Sequence, residues 1–203
     1  SINGLIYIRG QAQDFDHLRQ LGNAGWSAEE VLPYFRKSED NERGADEWHG
    51  AGGPLGVSDL RDRHPLAAAF VEAAQQCGYP GNADFNGAAQ EGAGFYQTTT
   101  RRGVRSSTAV AYLAPVRDRD NLKVVSEALA TRIRFDGRRA TGVEYAVGGE
   151  KRTAIANAEV IVAAGAFNSP QLLQLSGLGP AELLRSHGIP VVADLPGVGA
   201  DLN

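Results

Sequence analysis

The chain has 203 residues, with Lys plus Arg 20 against Asp plus Glu 24 and a formal net charge of −4. That length suffices for one good core or one and a half domains, and the acidic balance excludes a broad nucleic-acid-binding face. A single cysteine, Cys77, excludes an internal disulfide framework and fits a reducing, cytoplasmic setting, while no apolar run reaches the length of a membrane span.

Residues 14–21 read as a short helix with Phe15, Leu18 and Leu21 on one side, broken by Gly22 and Gly25. Ser27-Ala28-Glu29-Glu30 is a capping box, Ser27 accepting from the first turn and Glu30 reaching back, and it opens a helix carrying Val31, Leu32, Tyr34 and Phe35. Residues 43–56 are glycine-rich around Trp48 and His49 and read as a loop, the kind of segment that presents binding residues. Residues 65–78 read as an amphipathic helix with Cys77 on its apolar face, which predicts a buried structural thiol. An irregular stretch follows over 79–94, then a short strand over 95–100, and Ser106-Ser107 is expected to cap a helix reaching Leu113.

From Leu122 the pattern changes to strands. Residues 122–125 and 129–135 alternate towards a turn at Asp136-Gly137, 140–147 returns to Gly148-Gly149, and 152–156 completes a β-meander. The apolar run 160–164 reads as a strand buried on both faces. Ser169 is placed to cap a helix starting at Pro170 and broken at Ser176-Gly177; a second helix over 181–187 and a strand over 189–192 follow. The basic pairs Arg101-Arg102 and Arg138-Arg139 fall at turns and read as solvated charge.

Of the four histidines, His17, His49, His64 and His187, none shows metal-ligand spacing or a partner acid at a fixed interval. His64 stands at a helix start and His187 in a last helical turn, where a cation is favoured by the helix dipole, so both read as structural.

The stretch 165–179, Gly-Ala-Phe-Asn-Ser-Pro-Gln-Leu-Leu-Gln-Leu-Ser-Gly-Leu-Gly, makes a strand–glycine–helix turn that many α/β proteins could contain. It also resembles the second signature of the glucose–methanol–choline (GMC) family of flavin-dependent alcohol oxidoreductases at every fixed position. Residues 1–10, Ser-Ile-Asn-Gly-Leu-Ile-Tyr-Ile-Arg-Gly, resemble the tail of the family's first signature, and 84–87 and 90–97 are similar to segments of its choline-dehydrogenase-like branch. The resemblance extends over essentially the whole chain.

Its implications are specific. The fold class is mixed, α+β and α/β: a partial FAD-binding domain, made of the β-meander and one buried strand, with part of an α+β substrate-binding domain. The expected segments are 1–40 and 121–203 in the FAD-binding domain and 41–120 in the substrate-binding domain. The resemblance places Asn3, Gly4, Leu5 and Ile6 along the flavin ring, Ala130 beside the adenine through its main chain, and Ala164 and Gly165 where the backbone approaches the cofactor. Some relatives tether the flavin through a His at the position of Ile2, so no such covalent link is expected. Phe95, Tyr96 and Gln97 are candidates to face a substrate, with plain strand packing as the alternative.

The implied activity is FAD-dependent oxidation of a CH–OH group, with hydride passing from the alcohol carbon to flavin N5 and an aldehyde or ketone as product. The implied partners are a small-molecule alcohol and an electron acceptor, either a quinone or dye or oxygen, with neither nucleic acid nor a membrane span. The family's catalytic His belongs to its C-terminal part, so no catalytic residue is assigned here. The absence of Met and of a GxGxxG turn leads us to expect an internal fragment, inactive alone and holding FAD weakly. Two alternatives stand beside this reading: a hydroxynitrile lyase of the same fold with structural FAD, and a non-catalytic fragment.

Overall fold

The computed structural model describes residues 3–200, which divide between Leu122 and Lys123 into two units, each with its own interior. The expected segments 1–40 and 41–120 share the first unit, and one short strand crosses the boundary between them. Among the described residues no helix is long and apolar enough to cross a membrane.

In the first unit, helix α1 (Ala12–Gln20) is entered through Gln11, whose N–H donates to Asp14 Oδ2 at 2.7 Å. Helix α2 (Ala28–Ser38) carries the expected capping box: Glu30 N–H donates to Ser27 Oγ at 3.3 Å, and Glu30 Oε2 accepts from Ser27 N–H at 3.0 Å. The two helices meet through Phe15 and Phe35, edge to face with ring centres 5.7 Å apart. Strand β1 (Glu39–Asn41) pairs in parallel with β2 (Leu55–Val57), and the expected loop over 43–56 lies largely between them. The next residue, Ser58, bridges to Thr98, and Thr98 bridges to Ile6, so three remote segments lie side by side.

Helix α3 (Pro65–Gln76) starts as expected, with Pro65 in its first turn and His64 accepting from Leu66 N–H at 3.2 Å. Its apolar face is not covered by the described residues: Leu66 and Phe70 are each 74% exposed. Cys77 is therefore exposed, against the expected buried thiol. The strand expected over 95–100 is reduced to bridges at Thr98 and a two-residue strand β3 (Thr100–Arg101), which turns through Arg102 and Gly103 into β4 (Val104–Arg105). Both turn residues have positive φ, +54° and +78°, as the tight primed turns of hairpins demand. Beyond Ser107 the chain forms one wide turn of π-helix over Ala109–Leu113 and a 3-10 turn over Ala114–Val116 in place of a regular helix. At Gly94 a Cβ would overlap the Asn82 carbonyl oxygen, so the close pass of 79–94 against itself requires glycine there.

The second unit is built on an antiparallel meander of β5 (Ala128–Asp136), β6 (Arg139–Val147) and β7 (Glu150–Ile155) in that spatial order. The strand expected at 122–125 does not form; pairing starts only at Ala128. Gly148 and Gly149, at φ +57° and +86°, make the tight second turn. Helix α4 (Gly165–Leu175) packs on β5, and the short strands β8 (Leu178–Gly179) and β9 (Ala193–Asp194) flank helix α5 (Ala181–Ser186). The strand expected at 189–192 does not form; the two-residue β9 follows directly after it, in parallel with β8. Ile133, Ala181 and Leu184 make the apolar interior.

Two expectations about the signature stretch are corrected. Residues 160–164 are not a buried strand: no strand of the described residues pairs with them, and Ile161 is 81% exposed. A run apolar on both faces stays buried only between layers, which the described residues do not provide. Ser169 is not the N-cap either, because α4 starts at Gly165; Ser169 Oγ instead accepts from Ala164 N–H at 3.0 Å, and Pro170 lies inside the helix.

Candidate functional site

Segment 3–6 is the most tightly specified of the expected cofactor segments. Leu5 has φ +65°, a left-handed conformation uncommon for a side-chain-bearing residue. That twist turns its N–H onto Asn3 Oδ1 at 3.1 Å, and Arg105 Nη1 donates to the same oxygen at 3.0 Å. The Leu5 carbonyl accepts from Thr99 N–H at 2.8 Å, and Tyr7 N–H donates to Gln97 O at 2.8 Å. Residues 3–7 are thereby laid along 97–99, with the Ile6 side chain open to solvent and, among the described residues, only Ile6 within 4 Å of where a Gly4 Cβ would stand. Ile2 lies outside the described residues.

Of the expected substrate residues, these bonds bring Gln97 beside Tyr7, next to segment 3–6. The Phe95 ring lies under the Arg63 guanidinium at 4.8 Å, and Tyr96 lies against Phe85 with ring centres 4.6 Å apart. Gln97 points inward, 5% exposed. Its amide is paired reciprocally with that of Asn41, at 2.9 and 3.1 Å, and also donates to Asp59 Oδ1 at 3.0 Å.

That amide belongs to a buried polar cluster that sequence reading missed. Glu39 is 0% exposed. Its carboxylate accepts from Arg9 Nη2 at 2.8 Å, Gly50 N–H at 2.9 Å and Asn41 Nδ2 at 3.0 Å, and faces His49 Nδ1 at 3.0 Å. The other ring nitrogen, Nε2, is 2.8 Å from Asp84 Oδ2. A carboxylate on each nitrogen favours the protonated form of the ring, in which both nitrogens donate. Burial pulls the His49 pKa down, but hydrogen bonds to Glu39 and Asp84 outweigh it, leaving the value raised. Burial likewise pushes the Tyr7 phenol up, with Arg9 opposing.

Arg9 is stacked between Tyr7 and Phe35, its guanidinium carbon 5.7 and 5.1 Å from the ring centres. Its Nη1 donates to Trp48 O at 2.8 Å, while Nε has no partner among the described residues. A cavity of about 610 Å³ opens beside it, walled by Phe15, Leu32, Phe35, Trp48 and Phe85. The side chains of Glu39, Asn41, His49 and Gln97 are committed to one another, so the chemistry of this cluster is that of a fastening between loops. No local signal could have found it, because His49 meets acids 10 and 35 residues away in sequence.

The remaining expected cofactor positions are in the second unit. Ala130 pairs with Tyr145 next to a register shift in β5. Ala164 and Gly165 are at the start of α4. Gly165 is at φ +89°, and nothing lies within 4 Å of where a Cβ would stand, so a ligand can approach its backbone. The opposite end of α4 is fastened to β5, where Ser176 Oγ accepts from the buried Ile133 N–H at 2.8 Å. Among the described residues no hydrogen bond joins Ala130 to Ala164 or Gly165.

Residues 1–203 match the family described as GMC oxidoreductase. The chain belongs to the GMC oxidoreductase family. It is 50% identical over 202 residues to the mitochondrial choline dehydrogenase of Homo sapiens, covering 100% of this chain and 34% of that protein. It is 48% identical to an oxygen-dependent choline dehydrogenase of Rhizobium etli, covering 37% of the latter. Among solved structures, an FAD-dependent oxidoreductase from Chaetomium thermophilum superposes with a TM-score of 0.89 at 32% identity, over 97% of this chain and 36% of that one. Pyridoxine 4-oxidase from Mesorbium loti gives a TM-score of 0.88, also at 32% identity, over 96% of this chain and 38% of the other. This GMC chain thus spans about a third of the length of the relatives it matches.

Proposed function

We propose that this chain forms part of an FAD-dependent oxidoreductase that acts on the CH–OH group of a small alcohol of the choline type. The single observation that carries the reading is the match of the whole chain to the family, at half identity to a choline dehydrogenase. FAD, when bound, would accept the hydride from the alcohol carbon, leaving an aldehyde or ketone.

The residues present fit such a group. Asn3 offers an amide N–H pair beside an exposed Ile6, a donor and an apolar surface suited to a flat ring edged with acceptors. Gly4 and Gly165 leave room for close backbone approach. In this reading Asn3, Gly4, Leu5 and Ile6 line the ring, and Ala130, Ala164 and Gly165 serve the rest of the cofactor through main-chain groups. Phe95 and Tyr96 supply apolar wall toward the substrate, whereas Gln97 acts from within by holding the wall in place. Reoxidation by oxygen or by a quinone or dye, and a cytoplasmic setting matched to the free exposed Cys77, complete the proposal.

The test is anaerobic addition of choline, and of other primary alcohols, to the flavin-loaded whole enzyme of which this chain forms part. Bleaching of the visible flavin band is the expected result. Bound flavin that stays oxidised with every alcohol, while a cyanohydrin is cleaved, would replace the reading by that of a lyase.

A further inference from the structure

We propose that Arg105 is a positioning residue that fixes the polarity of the Asn3 amide, so that Asn3 presents only N–H donors to its ligand. The proposal rests on the reading that segment 3–6 lines the flavin. Asn3 Oδ1 already accepts twice, from Leu5 N–H at 3.1 Å and from Arg105 Nη1 at 3.0 Å. An amide oxygen has two lone pairs, and both are used. Rotating the amide by half a turn would set its NH2 against a peptide N–H and a guanidinium, losing two hydrogen bonds, one of them charge-assisted, and facing donor with donor. The outward atom is therefore Nδ2.

Arg105 is itself held on a rigid frame. It pairs with Thr100 across the β3–β4 hairpin. The next residue fixes it on the other side: Ser106 N–H donates to Thr99 O at 2.9 Å, and Ser106 Oγ accepts from Gly56 N–H at 3.0 Å. Thr99 in turn donates to the Leu5 carbonyl, so the donor, the acceptor and the left-handed Leu5 between them all belong to one hydrogen-bonded unit. A guanidinium behind the amide also polarises it, strengthening its N–H toward an acceptor that gains negative charge. The reduced ring is such an acceptor and the oxidised ring is less so. Arg105 thus favours the reduced form through Asn3, without touching it.

The experiment measures the two-electron midpoint potential of the flavin-loaded protein by reduction against a reference dye, in the native form and in Arg105→Ala, Arg105→Lys, Asn3→Ala and the Asn3→Ala/Arg105→Ala pair. The expected result for Arg105→Ala is a roughly tenfold loss in the preference for reduced over oxidised FAD, a fall of ~30 mV for a two-electron couple. Arg105→Lys, which keeps a charged donor, recovers most of the loss. In the Asn3→Ala background the Arg105 substitution has no further effect, because its influence passes through the amide. An unchanged potential in Arg105→Ala overturns the proposal, and so do losses that add in the double variant. With every variant made in the whole enzyme of which this chain forms part, a native enzyme that takes up no FAD overturns the functional reading and the proposal together, whereas bound FAD with an unresponsive potential overturns the proposal alone.

Discussion

Glu39→Gln is the sharpest probe of the first unit. The native carboxylate is fully buried and is met by the Arg9 guanidinium, the Gly50 N–H, the Asn41 amide and the His49 ring, all within 2.8–3.0 Å. The substitution keeps the shape but removes the charge, and it turns one of two acceptor oxygens into a donor aimed at donors. Removing one partner of a buried ion pair costs about 3–5 kcal/mol. His49 keeps Asp84 and can relieve part of the strain by losing its proton, so the lower end, about 3 kcal/mol, is expected. With a urea dependence of about 2 kcal/mol/M, the unfolding midpoint falls by about 1.5 M.

The two tryptophans, Trp26 and Trp48, both belong to the first unit, so their emission reports its unfolding without interference from the second. Glu72→Gln, on an exposed face of α3, is the control and leaves the midpoint in place. A Glu39→Gln midpoint within about 0.3 M of native would refute the reasoning, since a cost that small is typical of a solvent-screened pair rather than a buried one.

Titration of His49 gives a second test. Its folded pKa is raised, so the stability it contributes is complete below its ordinary value of about 6.5 and is lost as pH rises through the folded value. The urea midpoint of the native protein should therefore drop on the alkaline side of about pH 6.5, and the His49→Gln profile should be flatter there; parallel profiles refute the assignment. In the second unit, Ser176→Ala removes the acceptor of the buried Ile133 N–H, and about 1–3 kcal/mol of stability goes with it, read by thermal unfolding followed by circular dichroism.

What could be read from the sequence was local or carried by family resemblance. The Ser27–Glu30 capping box, the Pro65 helix start and the Gly148-Gly149 turn each depend on chain neighbours, and each forms where the residues indicate. The failures lie where the outcome depends on distant partners. Ser169 has the chemistry of an N-cap, yet the helix begins earlier and its hydroxyl bonds to Ala164 from inside. Residues 160–164 have the composition of a buried strand but find no neighbour among the described residues. In the candidate site, resemblance singles out Asn3, while nothing in the sequence points to Arg105, 102 residues away. The same holds for Arg9, Glu39, His49 and Asp84, whose meeting no spacing rule encodes.

The polar interior of the first unit has a physical reason. Among the described residues its buried apolar ones are few, Val57, Phe85 and Ala111, and its loops over 42–54 and 79–94 carry almost no ladder hydrogen bonds. Burial is non-directional and cannot alone register one irregular segment against another, so hydrogen bonds must do it. Asn86 shows how. Its Oδ1 accepts from Arg9 N–H at 2.7 Å and its Nδ2 donates to the Tyr7 carbonyl at 3.0 Å, so one side-chain amide serves segment 7–9 as a neighbouring strand's peptide would. Asn86→Ala leaves both backbone groups without partners, costing about 1–3 kcal/mol for each that stays dry. Segment 3–6 continues directly from this anchored stretch, so the same substitution should also weaken FAD retention, measured as flavin released on gel filtration. Asn86→Asp keeps the acceptor for Arg9 and should lose less. If Asn86→Ala destabilises the protein yet retains flavin as the native protein does, segment 3–6 is held from 97–99 alone, and the coupling between the polar cluster and the cofactor segment is refuted.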